Sequence, residues 1–251
     1  MVNNFTQHGI AHLSASSINA YAEDPAYWVA KYLMGAKFPF SAPARGGTLV
    51  ERAIVQVLTG RDQADAINDA VEEFNKMTVF DSSPNVEKWA NAIEDMAKAG
   101  IKELEQYGIP EFDLLSGGQK KILIDCNMGD YKVPIIGFLD LYYSPIKTVI
   151  DVKCTMRMPS EMSASHKRQA AIYKLANPDF KIGFFYITPK KTQMFWVDDV
   201  EEQKKEIKGI VSRMNGMLGI GDKEKIKEII PIVESYYWTD APQVRKELFG
   251  F

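Results

Sequence analysis

Two aspartates and a lysine stand nearest to chemistry in this chain. Gly137-Phe138-Leu139-Asp140 and Val149-Ile150-Asp151-Val152-Lys153 are mostly apolar stretches separated by Ser144-Pro145-Ile146. Apolar runs divided by a proline turn read as an antiparallel hairpin. A turn near Pro145-Ile146 pairs residues whose numbers sum to about 291, as those of Asp140 and Asp151 do. The two carboxylates are then cross-strand neighbours, where like charges repel. A hard divalent cation with oxygen ligands removes that cost. Lys153 lies two residues beyond Asp151 and projects to the same face. Paired carboxylates beside an ammonium can hold a metal-bound water next to a phosphate. The same three residues also fit a structural salt bridge and a turn aspartate.

A helix over about Glu161 to Ala176, ended by Asn177-Pro178, follows this hairpin. It sets Gln169 and Tyr173 four residues apart on one face. The order Gly-x-x-Asp, Asp-x-Lys and, about eighteen residues later, Gln-x-x-x-Tyr resembles the PD-(D/E)XK nuclease superfamily. Within it the chain is similar to the RecB-type exonuclease branch, which includes CRISPR-adaptation nucleases, and to phage lambda-type exonucleases. Leu13-Ser14-Ala15-Ser16-Ser17-Ile18-Asn19-Ala20-Tyr21, Asp24-Pro25, Tyr27 and Gly47-Thr48-Leu49-Val50-Glu51 follow the RecB-type order. The resemblance covers about residues 13–60 and 119–197.

The resemblance implies an α/β, restriction-endonuclease-like core of helix, three strands, helix and strand with a mixed sheet. It implies a metal-dependent DNA exonuclease using Mg²⁺, or Mn²⁺, in phage or bacterial recombination, replication or repair. Glu51, Asp140, Asp151 and the carbonyl of Val152 would be the metal ligands. Lys153 would orient the attacking water and stabilise developing charge. Gln169 and Tyr173 would hold the lysine or the nucleic-acid backbone. Ser16, Arg45, Lys167, Arg168 and Tyr173 are the candidate contacts to DNA. Packing on the sheet (Tyr173), a solvated helix face (Lys167, Arg168) and a loop in water (Arg45) are the plain alternatives for four of them. Many RecB-type relatives carry a cysteine where Asp24 stands, and three more after the tyrosine motif. No cysteine follows Cys154, so an iron–sulfur cluster is not expected. Linear DNA ends, a single-strand annealing or binding protein and a second copy of the chain are the partners that such relatives bring to mind. A structure-specific endonuclease and a non-catalytic DNA-end binding module are the rival functions. Intact Glu51, Asp140, Asp151, Lys153 and Gln169 argue against decay to a binding module.

These residues need elements to position them. Asp24-Pro25 starts a helix through Tyr27, Trp28 and Tyr32 to Gly35. Ser16 or Ser17 can cap the helix before it. Leu49, Ala53 and Val57 share one face of a helix that begins near Pro43, ends at Gly60 and carries Glu51. Residues 62–107 read as two acidic amphipathic helices broken near Asp81-Ser82-Ser83-Pro84, with Trp89 in their core stripe. Strands are expected at 121–124, from Tyr131 to Tyr143, from Thr148 to Lys153, from Ile182 to Ile187 and from Met194 to Val197. Two helices near 199–218 and 222–235 close the chain. The expected organisation is one nuclease domain over 1–251, with a helical insertion at about 61–118 and C-terminal helices from about 198.

Composition sets the outer bounds. The 251 residues are 46% apolar and 25% charged, an ordinary globular balance. Two cysteines, Cys126 and Cys154, cannot build a disulfide framework or a four-cysteine metal site. Charges interrupt every apolar run short of a spanning helix, and no secretory signal pattern opens the chain. A soluble cytoplasmic protein without membrane contact is expected. Net charge is −3, yet residues 119–191 carry +6 and residues 61–118 carry −8. A basic block around the candidate site suits a phosphate-bearing partner. Lysines at strand edges give the same signal.

Overall fold

A mixed sheet lies between two layers of helix. The computed structural model describes residues 3–111, 119–124, 127–128 and 131–250; Cys126 and the end of the expected insertion, 112–118, fall outside them. In chain order come helices α1 (Asn4–Gln7), α2 (Ala15–Glu23) and α3 (Pro25–Trp28), the last continued by a wider π-turn over Val29–Leu33. Then come α4 (Ala42–Leu58), α5 (Gln63–Thr78), α6 (Asn85–Ala90) and α7 (Ile93–Leu104). Strands β1 (Lys120–Ile124), β2 (Asn127–Met128), β3 (Tyr131–Lys132), β4 (Ile135–Leu139), β5 (Leu141–Tyr143) and β6 (Thr148–Cys154) follow. Helix α8 (Ala164–Ala176) leads to β7 (Lys181–Ile187) and β8 (Thr192–Val197), then α9 (Glu201–Leu218), α10 (Lys223–Ile229) and α11 (Pro242–Phe249).

The main sheet has the order β5-β6-β7-β8. Only β6 and β7 are parallel, and α8 is the crossover that a parallel pair requires. Strand side chains alternate between the two faces. Val149, Ile182, Phe184 and Tyr186 join a core with Ile18 of α2, Ile172 of α8 and Ile207 of α9. Ile150, Val152, Phe185 and Ile187 join a second core with Leu49 and Ile54 of α4, Phe74 of α5, Trp89 of α6 and Ile101 of α7. The acidic helices therefore cover the sheet face opposite α2 and α8. Among the described residues no helix is long and apolar enough to cross a membrane.

The hairpin register follows the turn. Leu141 pairs with Ile150, Tyr142 with Val149 and Tyr143 with Thr148, each pair summing to 291. Lys147 closes that turn in the left-handed region, φ 46°.

Several local expectations are corrected. The long strand from Tyr131 to Tyr143 is three strands. Pro134 has no N–H for a ladder, and Leu13 docks there instead, donating to Pro134 O and accepting from Ile136 N, both at 2.9 Å. A bend at Asp140 separates β4 from β5. Ser14 caps α2, in a reciprocal pair with Ser17, which leaves Ser16 inside the first turn. The second acidic helix is split at Asn91-Ala92 into α6 and α7. α10 stops at Ile229 because Ile230 precedes Pro231 and is held extended. α11 is an additional helix, with Pro242 at its first position and Gly250 left-handed at its end.

Candidate active site

The end of β5 creates the site. Its ladder with β6 stops at the Leu141–Ile150 pair, and the chain turns away at Asp140. Val152 lies beyond that last pair, and its N–H donates to Asp140 Oδ2 at 2.9 Å in place of a strand carbonyl. The N–H and C=O of a strand residue leave by the same edge, so the Val152 carbonyl shares this edge with Asp140. Asp151 and Lys153 face the α2/α8 layer. α4, from the other layer, reaches the same edge with Glu51. The result is a cleft of about 440 Å³ lined by Glu51, Asp140, Asp151, Val152, Lys153 and Gln169.

Asp151 is held from three sides. Its Oδ1 accepts from Tyr173 OH at 2.9 Å and from Gln169 Nε2 at 3.0 Å. Its buried Oδ2 has no aligned hydrogen-bond donor and lies 2.6 Å from Lys153 Nζ as an ion pair. Gln169 Nε2 also sits 2.6 Å from Tyr173 OH, and that hydroxyl lies 3.0 Å from Phe138 O. Across the cleft, Gln119 Nε2 donates to Glu51 Oε1 at 2.8 Å and to Asp140 Oδ1 at 2.7 Å. The two bonds together limit the separation of those carboxylate oxygens to about 5.5 Å.

Three carboxylates and one ammonium share this edge, and the charge imbalance shows in their proton affinities. Burial raises Glu51 to about 7, with the Asp151 charge adding to it and the Gln119 and Lys153 contacts opposing. Burial, then repulsion from Asp151 and Glu51, holds Asp140 well above the usual carboxylate range. Burial alone would lower Lys153, but Asp151, Asp140 and Glu51 outweigh it and the amine is raised. Burial pushes the Cys154 thiol up, away from reactivity.

The donor set fits a hard divalent cation in kind. All candidate ligands are oxygens, the cluster carries excess negative charge, and one buried oxygen of Asp151 lacks an aligned donor. Among the described residues no three acidic, histidine or cysteine groups already stand at ligating separation. The Gln119 amide bridges Glu51 and Asp140 in this arrangement.

The outer candidates divide. Ser16 lines the cleft. Arg168, expected on an exposed helix face, is turned inward: it is 4% exposed, with Nε on Asn19 and its two terminal nitrogens on Glu206 and Glu23. Lys167 pairs with Glu161 at 3.7 Å and lines a separate recess beside Trp196. Arg45 donates to Phe40 O at 2.8 Å and lines a third recess beside Phe80. Tyr173 lines the cleft but is 2% exposed, and its hydroxyl supports the Asp151 carboxylate. Gln169 likewise bonds Asp151, not Lys153. Sequence reading missed Gln119, His12 and Ser14, which also line the cleft. No spacing signal marks Gln119 or His12, which reach the cleft by tertiary placement, whereas Ser14 stands in the Leu13–Tyr21 run two residues before Ser16.

A model of the PD-(D/E)XK nuclease superfamily matches residues 12–231. The chain belongs to that superfamily. The mixed sheet flanked by helices is consistent with the restriction-endonuclease-like fold of such nucleases. Members generally use divalent metal ions, typically Mg²⁺, and membership implies nuclease chemistry on DNA. No curated protein matches the chain. One solved structure, titled "Crystal structure of SSO0001", is similar to this nuclease over 68% of its chain and 85% of the other, at 17% identity and a TM-score of 0.38. A likeness that loose carries no functional argument.

Proposed function

We propose that this PD-(D/E)XK protein is a metal-dependent DNA exonuclease of the RecB-type or lambda-type branch, serving phage or bacterial DNA recombination, replication or repair. One observation carries this: Glu51, Asp140, Asp151 and Lys153, spread over 102 positions, open on a single cleft at the end of a truncated strand ladder. Glu51, Asp140, Asp151 and the Val152 carbonyl are the groups that would hold the metal ion. When bound, that ion polarises the scissile phosphate and lowers the pKa of a coordinated water.

The remaining steps belong to the side chains. Lys153, anchored on Asp151 at 2.6 Å, presents its ammonium to the phosphate and offsets charge that develops during attack. Tyr173 and Gln169 fix the Asp151 carboxylate in one rotamer. The first turn of α2 carries no acidic side chain and brings Ser16 to the rim, so its N–H groups favour an anionic backbone there.

The deciding experiment offers end-labelled linear duplex, linear single strands and covalently closed circles, with Mg²⁺ and with chelator. Mononucleotides from linear DNA alone, in Mg²⁺ alone, support an exonuclease. Nicked circles would make it an endonuclease. Binding without any cleavage would make it a DNA-end module.

A further inference from the structure

A second recess, of about 310 Å³, adjoins the cleft and shares Ser16, Lys153 and Gln169 with it. Its wall is aromatic. Tyr27 stacks on Tyr237 at 4.3 Å and 19°, and Tyr237 stacks on Tyr236 at 4.2 Å and 29°. Tyr236 ends the stack: one ring face lies on Tyr237, and the side chain is 69% exposed. Lys31 is exposed and lines the same recess, with Nζ 3.1 Å from Tyr27 OH and over the Tyr27 and Tyr32 rings. We propose that this recess is a subsite for one unstacked nucleobase of single-stranded or frayed DNA, held on the free face of Tyr236 next to the phosphate at Lys153.

The platform is built in advance. Asp24 is fully buried and accepts from Tyr27 N at 2.9 Å, Ser235 Oγ at 2.6 Å and Trp238 Nε1 at 2.7 Å. These bonds fix the segment bearing Tyr236 and Tyr237 against α3, so little ordering remains to be done on binding. Glu23, which accepts from Tyr237 OH at 3.0 Å, could repel a phosphate, but Arg168 lies on its other oxygen at 3.2 Å. Tyr27 and Tyr237 have a packing role that accounts for them. The Tyr236 hydroxyl makes only a long bond to Glu23 Oε2, at 3.4 Å, and its exposed ring adds little to a core.

The chemistry selects the ligand. A stacked aromatic face accepts any base, and a cation beside it accepts the backbone. A base inside a duplex already has both faces covered and cannot enter; a base at a frayed end or in a single strand can. The recess rests on the nuclease function proposed above, because its shared residues bring the strand to that cleft.

Anisotropy of labelled single strands and blunt duplexes, in chelator so that nothing is cut, tests the subsite. Tyr236→Ala and Tyr236→Leu, the latter keeping apolar cover over Tyr237, should each weaken single-strand binding about tenfold and leave duplex binding within twofold. Tyr236→Phe should keep wild-type affinity. A terminal 2-aminopurine should be quenched on binding to wild type and not to Tyr236→Leu. Unchanged single-strand affinity and quenching in Tyr236→Leu would overturn the subsite, while Mg²⁺-dependent cleavage by that variant would leave the nuclease function standing. A wild type that neither binds nor cuts DNA would remove both.

Discussion

Asp151 and Gln119 set opposite demands on the same cleft. Asp151 has a donor or a cation at each oxygen, so replacing it alters charge while the shape survives. Asp151→Asn should lower Mg²⁺-dependent cleavage by more than about a hundredfold. Thermal melting without metal should fall, because the amide sets an N–H against Lys153 or against Gln169 and Tyr173 and leaves the buried ammonium without its closest anion. Wild-type cleavage in this variant would refute the site. Gln119 holds two carboxylates together through one amide nitrogen. A cation entering between Glu51 and Asp140 has to displace it. Gln119→Ala should therefore tighten Mn²⁺ binding about fivefold, on the order of the 1 kcal/mol of a hydrogen bond, while lowering the melting temperature of the metal-free protein. Calorimetric titration without DNA measures the first effect. The turn sets the register as far as Leu141–Ile150, and a period of two sets the face that Asp151 and Lys153 share. Asp140 was expected opposite Asp151 and instead leaves the ladder in a bend to accept from Val152 N. Arg168 was misread because its partners Glu23 and Glu206 stand 145 and 38 positions away and leave no local trace. Gln119 was invisible for the same reason.

Elements carry the positions of these residues. Glu51 reaches the cleft only because α4 lies close against the acidic helices. A Cβ on Gly46 would stand 2.2 Å from the Trp89 ring, and one on Gly100 of α7 would stand 2.4 Å from Ile54. Gly46→Ala raises helix propensity by about 1 kcal/mol but forces Trp89 away, an overpacking cost of about 1–3 kcal/mol. The urea midpoint should fall, and a rise would show that α6 yields freely. α8 adds a proton-linked contribution. His166 lies in its first turn, paired with Tyr186 OH, and burial, followed by the Lys153 charge, lowers it to about 4. A histidine depressed from 6.5 stabilises the fold above about pH 6.5, and that contribution is lost as pH falls through about 4. It is worth on the order of 3 kcal/mol. His166→Gln should flatten the melting temperature between pH 6.5 and 4; an unchanged slope would assign acid lability elsewhere. The helices were readable from caps and periodicity. The breaks in the long strand were less so, since Pro134 and Asp140 interrupt it for tertiary reasons.

At the scale of the molecule, charge is sorted by sheet face. The −8 of residues 61–118 belongs to a segment whose described helices, α5 to α7, cover the face opposite α2 and α8. Glu103 and Glu105 are exposed there. Changing both to Gln should raise duplex affinity less than about threefold near 0.15 M salt and more at low salt, because solvent ions screen charges distant from the cleft. Anisotropy at two ionic strengths measures this; an equal effect at both would place DNA on the acidic face. The two ends of the chain also close on one another. Asn4 bonds Asn215, His8 reaches Leu218 O, and Asp24 is bound by Ser235 and Trp238 more than 200 positions away. During synthesis, Glu51, Asp140, Asp151 and Lys153 have all been made well before these partners emerge. Until then Asp24 keeps the Tyr27 N–H but lacks the Ser235 and Trp238 donors for its other oxygen, and α2 and α3 lack their clasp. The clasp that secures α2 and α3 is therefore among the last parts of the fold to be supplied during synthesis, after every residue of the cleft.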